Sequence, residues 1–107
     1  MQVDEYLSNK KSSGTLRFSS HTKEEMIYDE SGVIHEREVK EAIDNSEIIE
    51  KYSGDKPYPS FLIYGRTVNN RPLHIVCAPV VDEKILIIIT VYQPNPKLWE
   101  NYRRRLQ

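Results

Sequence analysis

Apolar positions along this chain are sparse and helically spaced at first, then gather into three dense runs. These are Phe61-Leu62-Ile63-Tyr64, Leu73-His74-Ile75-Val76-Cys77-Ala78 and Ile85-Leu86-Ile87-Ile88-Ile89-Thr90-Val91-Tyr92. The last run lacks the polar alternation of a half-solvated strand, and it falls far short of the ~18 apolar residues a membrane span needs. It predicts a strand in the interior of a sheet, covered on at least one face, because so Ile-rich a segment at an edge would invite aggregation.

The surrounding pattern supplies the other elements. Residues 1–13 read as a polar N-terminal extension, with a short turn of helix around Val3, Tyr6 and Leu7; residues 14–106 read as the core of a single domain. Leu16 and Phe18 alternate with polar neighbours, as in a short extended piece. A helix is expected over 22–31, opened by the capping-box spacing Thr22-x-x-Glu25 and closed at Gly32. A second is expected over 35–45, with His35 at the N-cap, Glu38 three positions on, and Val39, Ala42 and Ile43 as its apolar stripe. Residues 47–52 read as an edge strand, followed by a turn-rich connection through Gly54 and Pro57.

Strands over 60–68, 71–79 and 84–92 should form an antiparallel meander, with Asn69-Asn70 as its first tight turn. A two-residue loop there would set Val68 against Arg71 and His74 against Gly65. Ile63, His74 and Val76 would then share one face, and Tyr64, Arg66, Leu73, Ile75 and Cys77 the other; Gly65 would leave room beside the imidazole. The register of the last strand stays open between two choices, which put either Thr90 and Tyr92 or Ile89 and Val91 on the face of His74. Asn95-Pro96 suggests an N-cap and first-turn proline for a closing helix over 96–105. Leu98, Trp99, Tyr102 and Leu106 would line one face of it, and Glu100 and Arg104 would form an i,i+4 pair. The expected architecture is α+β: two N-terminal helices, a four-stranded antiparallel sheet and a C-terminal helix.

Charge changes the picture more than composition does. With 107 residues, 38% hydrophobic and 29% charged, the chain has the balance of a soluble globular domain. Its net charge of −1 conceals an acidic half, 1–56, with thirteen acids against eight Lys or Arg, and a basic half, 57–107, with three against seven. The single Cys77 sits in an apolar strand and reads as a small hydrophobe. His21, His35, His74 and Cys77 have no recognised metal-ligand spacing, and no glycine-rich phosphate loop is present, so neither metal nor cofactor is expected. Lacking a secretory or spanning segment, the chain is expected in the cytoplasm.

Several segments carry a family resemblance: Ser20-His21-x-x-x-Glu25-Met26, Val39-x-x-Ala42-Ile43, Glu47-Ile48-Ile49-Glu50-x-Tyr52, Pro59-Ser60-x-Leu62-Ile63-x-Gly65, Arg71-Pro72-Leu73-His74-Ile75-Val76, Ile88-Ile89-Thr90-Val91-Tyr92-x-Pro94, and Trp99. Over roughly 16–105 the chain resembles a small prokaryotic family classed as a domain of unknown function. That family is distantly similar to RelE/BrnT-type toxins and is often encoded beside an MqsA-type zinc-finger antitoxin. The resemblance implies a RelE/BrnT-like fold, metal-independent cleavage of messenger RNA, free or on the ribosome, and a zinc-finger antitoxin as partner. Many relatives carry His-Ala-x-x-Arg-Met where this chain has His21-Thr22-Lys23-Glu24-Glu25-Met26, so a cation is exchanged for Glu25. Phe61 replaces a small residue.

Cleavage through the RNA's own 2′-hydroxyl requires a base, an acid and cations on the phosphorane. Imidazole, with an ordinary pKa near ~6.5, suits both proton roles at neutrality. His21, His74 and Tyr92 are therefore the candidate catalytic residues, with the two histidines expected to approach one cleft. Arg66, Arg71, Arg103, Arg104 and Arg105 are the candidate phosphate contacts, and Tyr64 or Tyr92 offers a ring for a base to stack on. The competing expectation is a non-enzymatic protein- or RNA-binding module, a degenerate relative of such toxins. The near-neutral charge favours it, since RNA-gripping nucleases are usually basic. The sequence leaves the oligomeric state open.

Overall fold

The computed structural model describes residues 15–106, so the short N-terminal turn expected around Val3 lies outside the described residues. The apolar runs become a sheet with two helices on one face. In chain order the elements are β1 (Thr15–Phe18), α1 (Ser20–Ile27), α2 (Glu36–Asp44), β2 (Glu47–Tyr52), β3 (Ser60–Arg66), β4 (Pro72–Val80), a 3₁₀ turn (Val81–Glu83), β5 (Ile85–Tyr92), β6 (Trp99–Glu100) and β7 (Arg104–Arg105). The main sheet has five strands in the order β1-β5-β4-β3-β2, and β6 and β7 form a separate two-stranded hairpin. The fold is α+β, but two expectations about it are overturned.

The sheet is mixed rather than four-stranded and antiparallel. β1 runs parallel to β5, with Thr15 opposite Ile85 and Phe18 opposite Ile88. The Ile-rich β5 is thereby flanked on both sides, and Leu16 and Phe18 pack onto the core. A four-residue strand with a distant partner leaves too little alternation to announce its pairing.

The closing helix does not form. Asn101 and Tyr102 both take left-handed backbone conformations, φ 52° and 63°, which no α-helix tolerates in succession. They make the turn of a hairpin in which Trp99 faces Arg105 and Glu100 faces Arg104. The Glu100–Arg104 pair exists, with both carboxylate oxygens 2.8 Å from Nη2, but it spans two strands. A four-residue spacing brings two side chains together on a helix or across a tight hairpin, so the sequence pattern was degenerate. Leu98 and Leu106, expected on one face of that helix with Trp99, are exposed.

Two register details decide what faces what. The β3–β4 loop closes by Thr67 N–H to the Arg71 carbonyl and Asn70 N–H to that of Thr67, with Asn70 at φ 68°. This is a longer loop with one left-handed residue, not a two-residue turn, and it moves the pairing by one. Tyr64 therefore faces His74, and Gly65 faces Leu73. Gly65 makes room not for the imidazole but for α2: a Cβ there would lie 2.7 Å from the Ala42 carbonyl carbon and nearer still to its oxygen. In β5 the ladder shifts between the pairs Val76–Thr90 and Cys77–Ile88, leaving Ile89 as the extra residue of a bulge. The bulge lets Leu86, Ile88 and Val91 all join the core while Tyr92 pairs with His74.

The helices explain themselves locally. α1 is capped by Ser19, whose Oγ accepts from Thr22 N–H at 3.0 Å. Thr22, expected as the cap, lies inside the helix and donates its hydroxyl to the Ile89 carbonyl at 2.9 Å, satisfying the bulge. α2 starts as expected, with Glu38 accepting from His35 N–H at 3.0 Å. Its stripe of Val39, Ala42 and Ile43 is buried with Met26, Ile34, Ile63, Leu73 and Ile75 between helices and sheet.

Candidate functional site

The other face of the sheet carries the unusual chemistry. Along β4, Leu73, Ile75 and Cys77 point to the helices, so His74 points away from them, where the C-terminal hairpin covers it completely. Trp99 meets the imidazole edge-to-face at 4.4 Å between centroids, and the rings of Tyr92 and Tyr64 stand at 5.2 and 5.9 Å. His74 Nε2 lies 2.6 Å from the Tyr102 carbonyl oxygen and Nδ1 lies 3.1 Å from the Tyr92 hydroxyl.

These partners fix the tautomer. A carbonyl oxygen only accepts, so Nε2 carries the proton; in the neutral ring Nδ1 then accepts from the Tyr92 hydroxyl. Neutrality is favoured because burial pushes the His74 pKa below its ordinary value, against the opposing pull of the Tyr102 carbonyl and Glu50. Burial likewise pushes the Tyr92 hydroxyl up to about 12. His74 is thus an oriented hydrogen-bond acceptor for the Tyr92 hydroxyl, and the depressed imidazole and raised phenol together keep that proton on Tyr92.

Carboxylates on the edge strand β2 latch the hairpin down. Arg105 Nε is 2.8 Å from Glu50, and Arg103 Nε bonds Glu47. Arg105 also lies over the Trp99 ring at 4.7 Å and Arg103 over Tyr64 at 5.0 Å. The β2 ladder shifts between Ile48 and Glu50, and this bulge turns Glu47 and Glu50 to the same face, opposite Tyr64 and Leu62. The bond from Arg105 holds the Glu50 carboxyl below its ordinary pKa despite partial burial, and Tyr52 donates to it as well. Sequence reasoning missed Glu47 and Glu50; the available signal was two acids three apart in a strand, which only a bulge places on one side.

The remaining candidates are dispersed. His21 is exposed on α1, 3.3 Å from Glu25, and Glu25 accepts from Thr90 at 3.1 Å. His21 and His74 are not brought together, one being exposed on a helix and the other sealed on the sheet face away from the helices. Every Arg71 donor is used internally: Nε to Gln93, Nη1 to Glu38 and the Val33 carbonyl, Nη2 to Ser31 and the Gly32 carbonyl. Burial would raise the Glu38 pKa, but the His35 N–H and Arg71 together hold it below its ordinary value. Arg104 pairs with Glu100. Arg66 alone of the five has no carboxylate partner among the described residues; it bonds the Asn70 carbonyl and lies 5.7 and 5.4 Å from the Tyr64 and Tyr102 rings.

A cleft of about 420 Å³ opens beside the aromatic cluster around His74, between Asp29–Ser31 of the α1–α2 loop and the segment from Tyr92 to Pro96, with Leu98 and Trp99 at its end. Tyr92 both lines this cleft and bonds His74. Among the described residues its lining carries Asp29 and Glu30 and no basic side chain. Among the described residues no three His, Cys, Asp or Glu side chains gather as a metal site would require, and no helix is long and apolar enough to cross a membrane.

Fold and site together define a two-layer α+β domain whose open sheet face is closed by its own C-terminal hairpin over a histidine–tyrosine pair. The family described as domain of unknown function DUF4258 matches residues 18–93, and the chain belongs to it. The match spans both helices and strands β2 to β5 and stops before the hairpin. No curated protein and no solved structure matches the chain significantly.

Proposed function

We propose that this chain is a non-catalytic protein-binding module, a relative of RelE/BrnT-type toxins that keeps recognition without RNA cleavage. The observation that carries this reading is the commitment of the would-be catalytic side chains to internal partners. His74 is wholly buried, His21 stands apart from it, and four of the five candidate arginines are paired with carboxylates. An acid–base pair facing a phosphate cradle is therefore not assembled, and the cleft beside Tyr92 has an acidic rim that repels phosphate. A protein partner, of the zinc-finger antitoxin kind implied by the sequence resemblance, fits these features better than RNA, and the cytoplasm is where such a pair would meet.

One observation favours the second reading, a metal-independent endoribonuclease acting on messenger RNA. Tyr92 lines the cleft while its hydroxyl is hydrogen-bonded to His74, so a tyrosine oriented by an imidazole borders the space a substrate would enter. The test is direct. Purified chain is incubated with structured RNA, unstructured RNA and ribosome-bound messenger in the presence of a chelator, and expression is scored for growth arrest. The binding-module reading expects intact RNA and normal growth. Cleavage that disappears in Tyr92→Phe and His74→Ala would replace it with the nuclease.

A further inference from the structure

The C-terminal hairpin is attached to the sheet in an unusual way. It shares no ladder with the five-stranded sheet, is reached through Gln93-Pro94-Asn95-Pro96-Lys97, and lies beyond the family match, which ends at Gln93. Its hold consists of side chains and one carbonyl: Trp99 on the imidazole, Tyr102 stacked on Tyr64 at 5.8 Å, the Tyr102 carbonyl on Nε2, and two arginines on Glu47 and Glu50. An aromatic anchor in a desolvated pocket, ringed by arginine–carboxylate pairs, is the anatomy of a protein–protein hot spot. The chain holds this interface against itself.

We propose that the sheet face beneath residues 98–106 is the partner-binding surface, and that the hairpin occupies it as a stand-in for a partner segment of the same chemistry, an aromatic-anchored turn carrying two arginines. This rests on the binding-module reading for there being a partner. Charge complementarity specifies the occupant. Glu47 and Glu50 lie on one side of edge strand β2, and a cationic segment satisfies both while a neutral or acidic one leaves the half-exposed Glu47 and the more buried Glu50 without a cation. The pocket formed by Tyr64, His74 and Tyr92 accepts a flat ring, and the Nε2 proton of His74 offers a bond to a backbone carbonyl at the turn. The cis hairpin competes at high effective concentration, so a partner engages fully only when it binds more tightly or when the latch is loosened.

The experiment uses the full chain with its latch opened by Trp99→Ala combined with Arg105→Glu, and a second opened form, Arg103→Glu with Arg105→Glu, in case the first loses its fold. The probe is a fluorescently labelled peptide of residues 97–106, followed by anisotropy, with circular dichroism as the folding control. Saturable binding to an opened chain is expected, with much weaker binding to the closed wild type. Removing the tryptophan from the peptide should weaken binding roughly tenfold or more. In a chain opened instead by Trp99→Ala with Arg103→Ala and Arg105→Ala, Glu47→Lys with Glu50→Lys should abolish it, and a peptide with glutamates in place of the two latch arginines should restore it. A folded, opened chain that binds nothing, a tryptophan-free peptide that binds equally, or no rescue by charge exchange would overturn the proposal. Dimers of the wild type formed by exchanged hairpins, seen as doubled mass in light scattering, would overturn the claim of a foreign partner. A failure here leaves the RNA-cleavage assay unaffected, so it is distinguishable from failure of the binding-module reading.

Discussion

Replacing Gly65 by alanine adds one methyl group at the closest approach of helix and sheet. The new Cβ would sit 2.7 Å from the Ala42 carbonyl carbon and 3.2 Å from its Cα, where ordinary contact begins at 3.4 Å. Backbone cannot rotate aside as a side chain does, so α2 must retreat by about an ångström or β3 must bow. The retreat reaches Val39 and Ile43, both packed in the core, and partly undoes their contacts with Ile63 and Leu73. Overpacking usually costs about 1–3 kcal/mol, occasionally more, and the gap opened along α2 adds to it. We expect Gly65→Ala to lose about 3 kcal/mol or more, a large share of the ~5–15 kcal/mol typical of a domain. Urea unfolding followed by circular dichroism measures this, with Gly54→Ala as the control because nothing lies within 4 Å of its would-be Cβ. Gly54→Ala should change stability by less than about 0.5 kcal/mol. A Gly65→Ala loss below about 1 kcal/mol would refute the close approach of α2 to β3.

Three further outcomes follow from the same geometry. Trp99→Ala removes the anchor of the hairpin, a side chain only 6% exposed, and should cost about 3 kcal/mol while sparing the helix–sheet core; unfolding monitored at both layers tests this. Arg71→Ala leaves Glu38 and two loop carbonyls without their donor and should cost about 3 kcal/mol, with faster hydrogen exchange at residues 31–34 than in wild type. Because burial lowers the His74 pKa, the folded state binds fewer protons than the unfolded chain; stability is complete above the ordinary value of 6.5 and declines as pH falls from there through the folded value. Glu38 and Glu50, held below 4.5, add to the decline only at lower pH, so His74→Phe should flatten the upper part of a stability–pH profile specifically.

Much of the first layer was legible because its signals are local. The spacing of Val39, Ala42 and Ile43, the pairing of His35 with Glu38, and the unbroken apolar run of β5 each report an environment that a few neighbouring residues determine. What escaped depended on one extra residue. Asn70 lengthens a turn and moves His74 from Gly65 to Tyr64; Ile89 bulges and settles the open register of β5, with Thr90 and Tyr92 on the face of His74; Ile49 bulges and brings Glu47 beside Glu50. A strand's two-residue period converts each such insertion into a reversal of faces, and composition carries no mark of it. The C-terminal segment misled for another reason. Its apolar and charged spacing suits a helix as well as a hairpin, and long-range bonds to His74, Glu47 and Glu50 decide between them. The candidate site was thus legible as residue types and illegible as an arrangement: His74, Tyr92 and the arginines were named, while the burial of His74 under Trp99 and the pairing of Arg103 and Arg105 with Glu47 and Glu50 were not.

His74 is a sealed, neutral imidazole held between Tyr92 and Tyr102 under the C-terminal hairpin. Nitrogen-15 spectra of the imidazole rings, recorded across a pH titration of the folded chain, measure this directly. The expected spectrum shows an Nε2–H tautomer for His74, a slowly exchanging ring proton, and titration below 6.5, while exposed His21 shows rapid exchange. Tautomer-averaged shifts for His74, with rapid solvent exchange and titration at the ordinary histidine value, would contradict the closed site and every functional inference drawn from it.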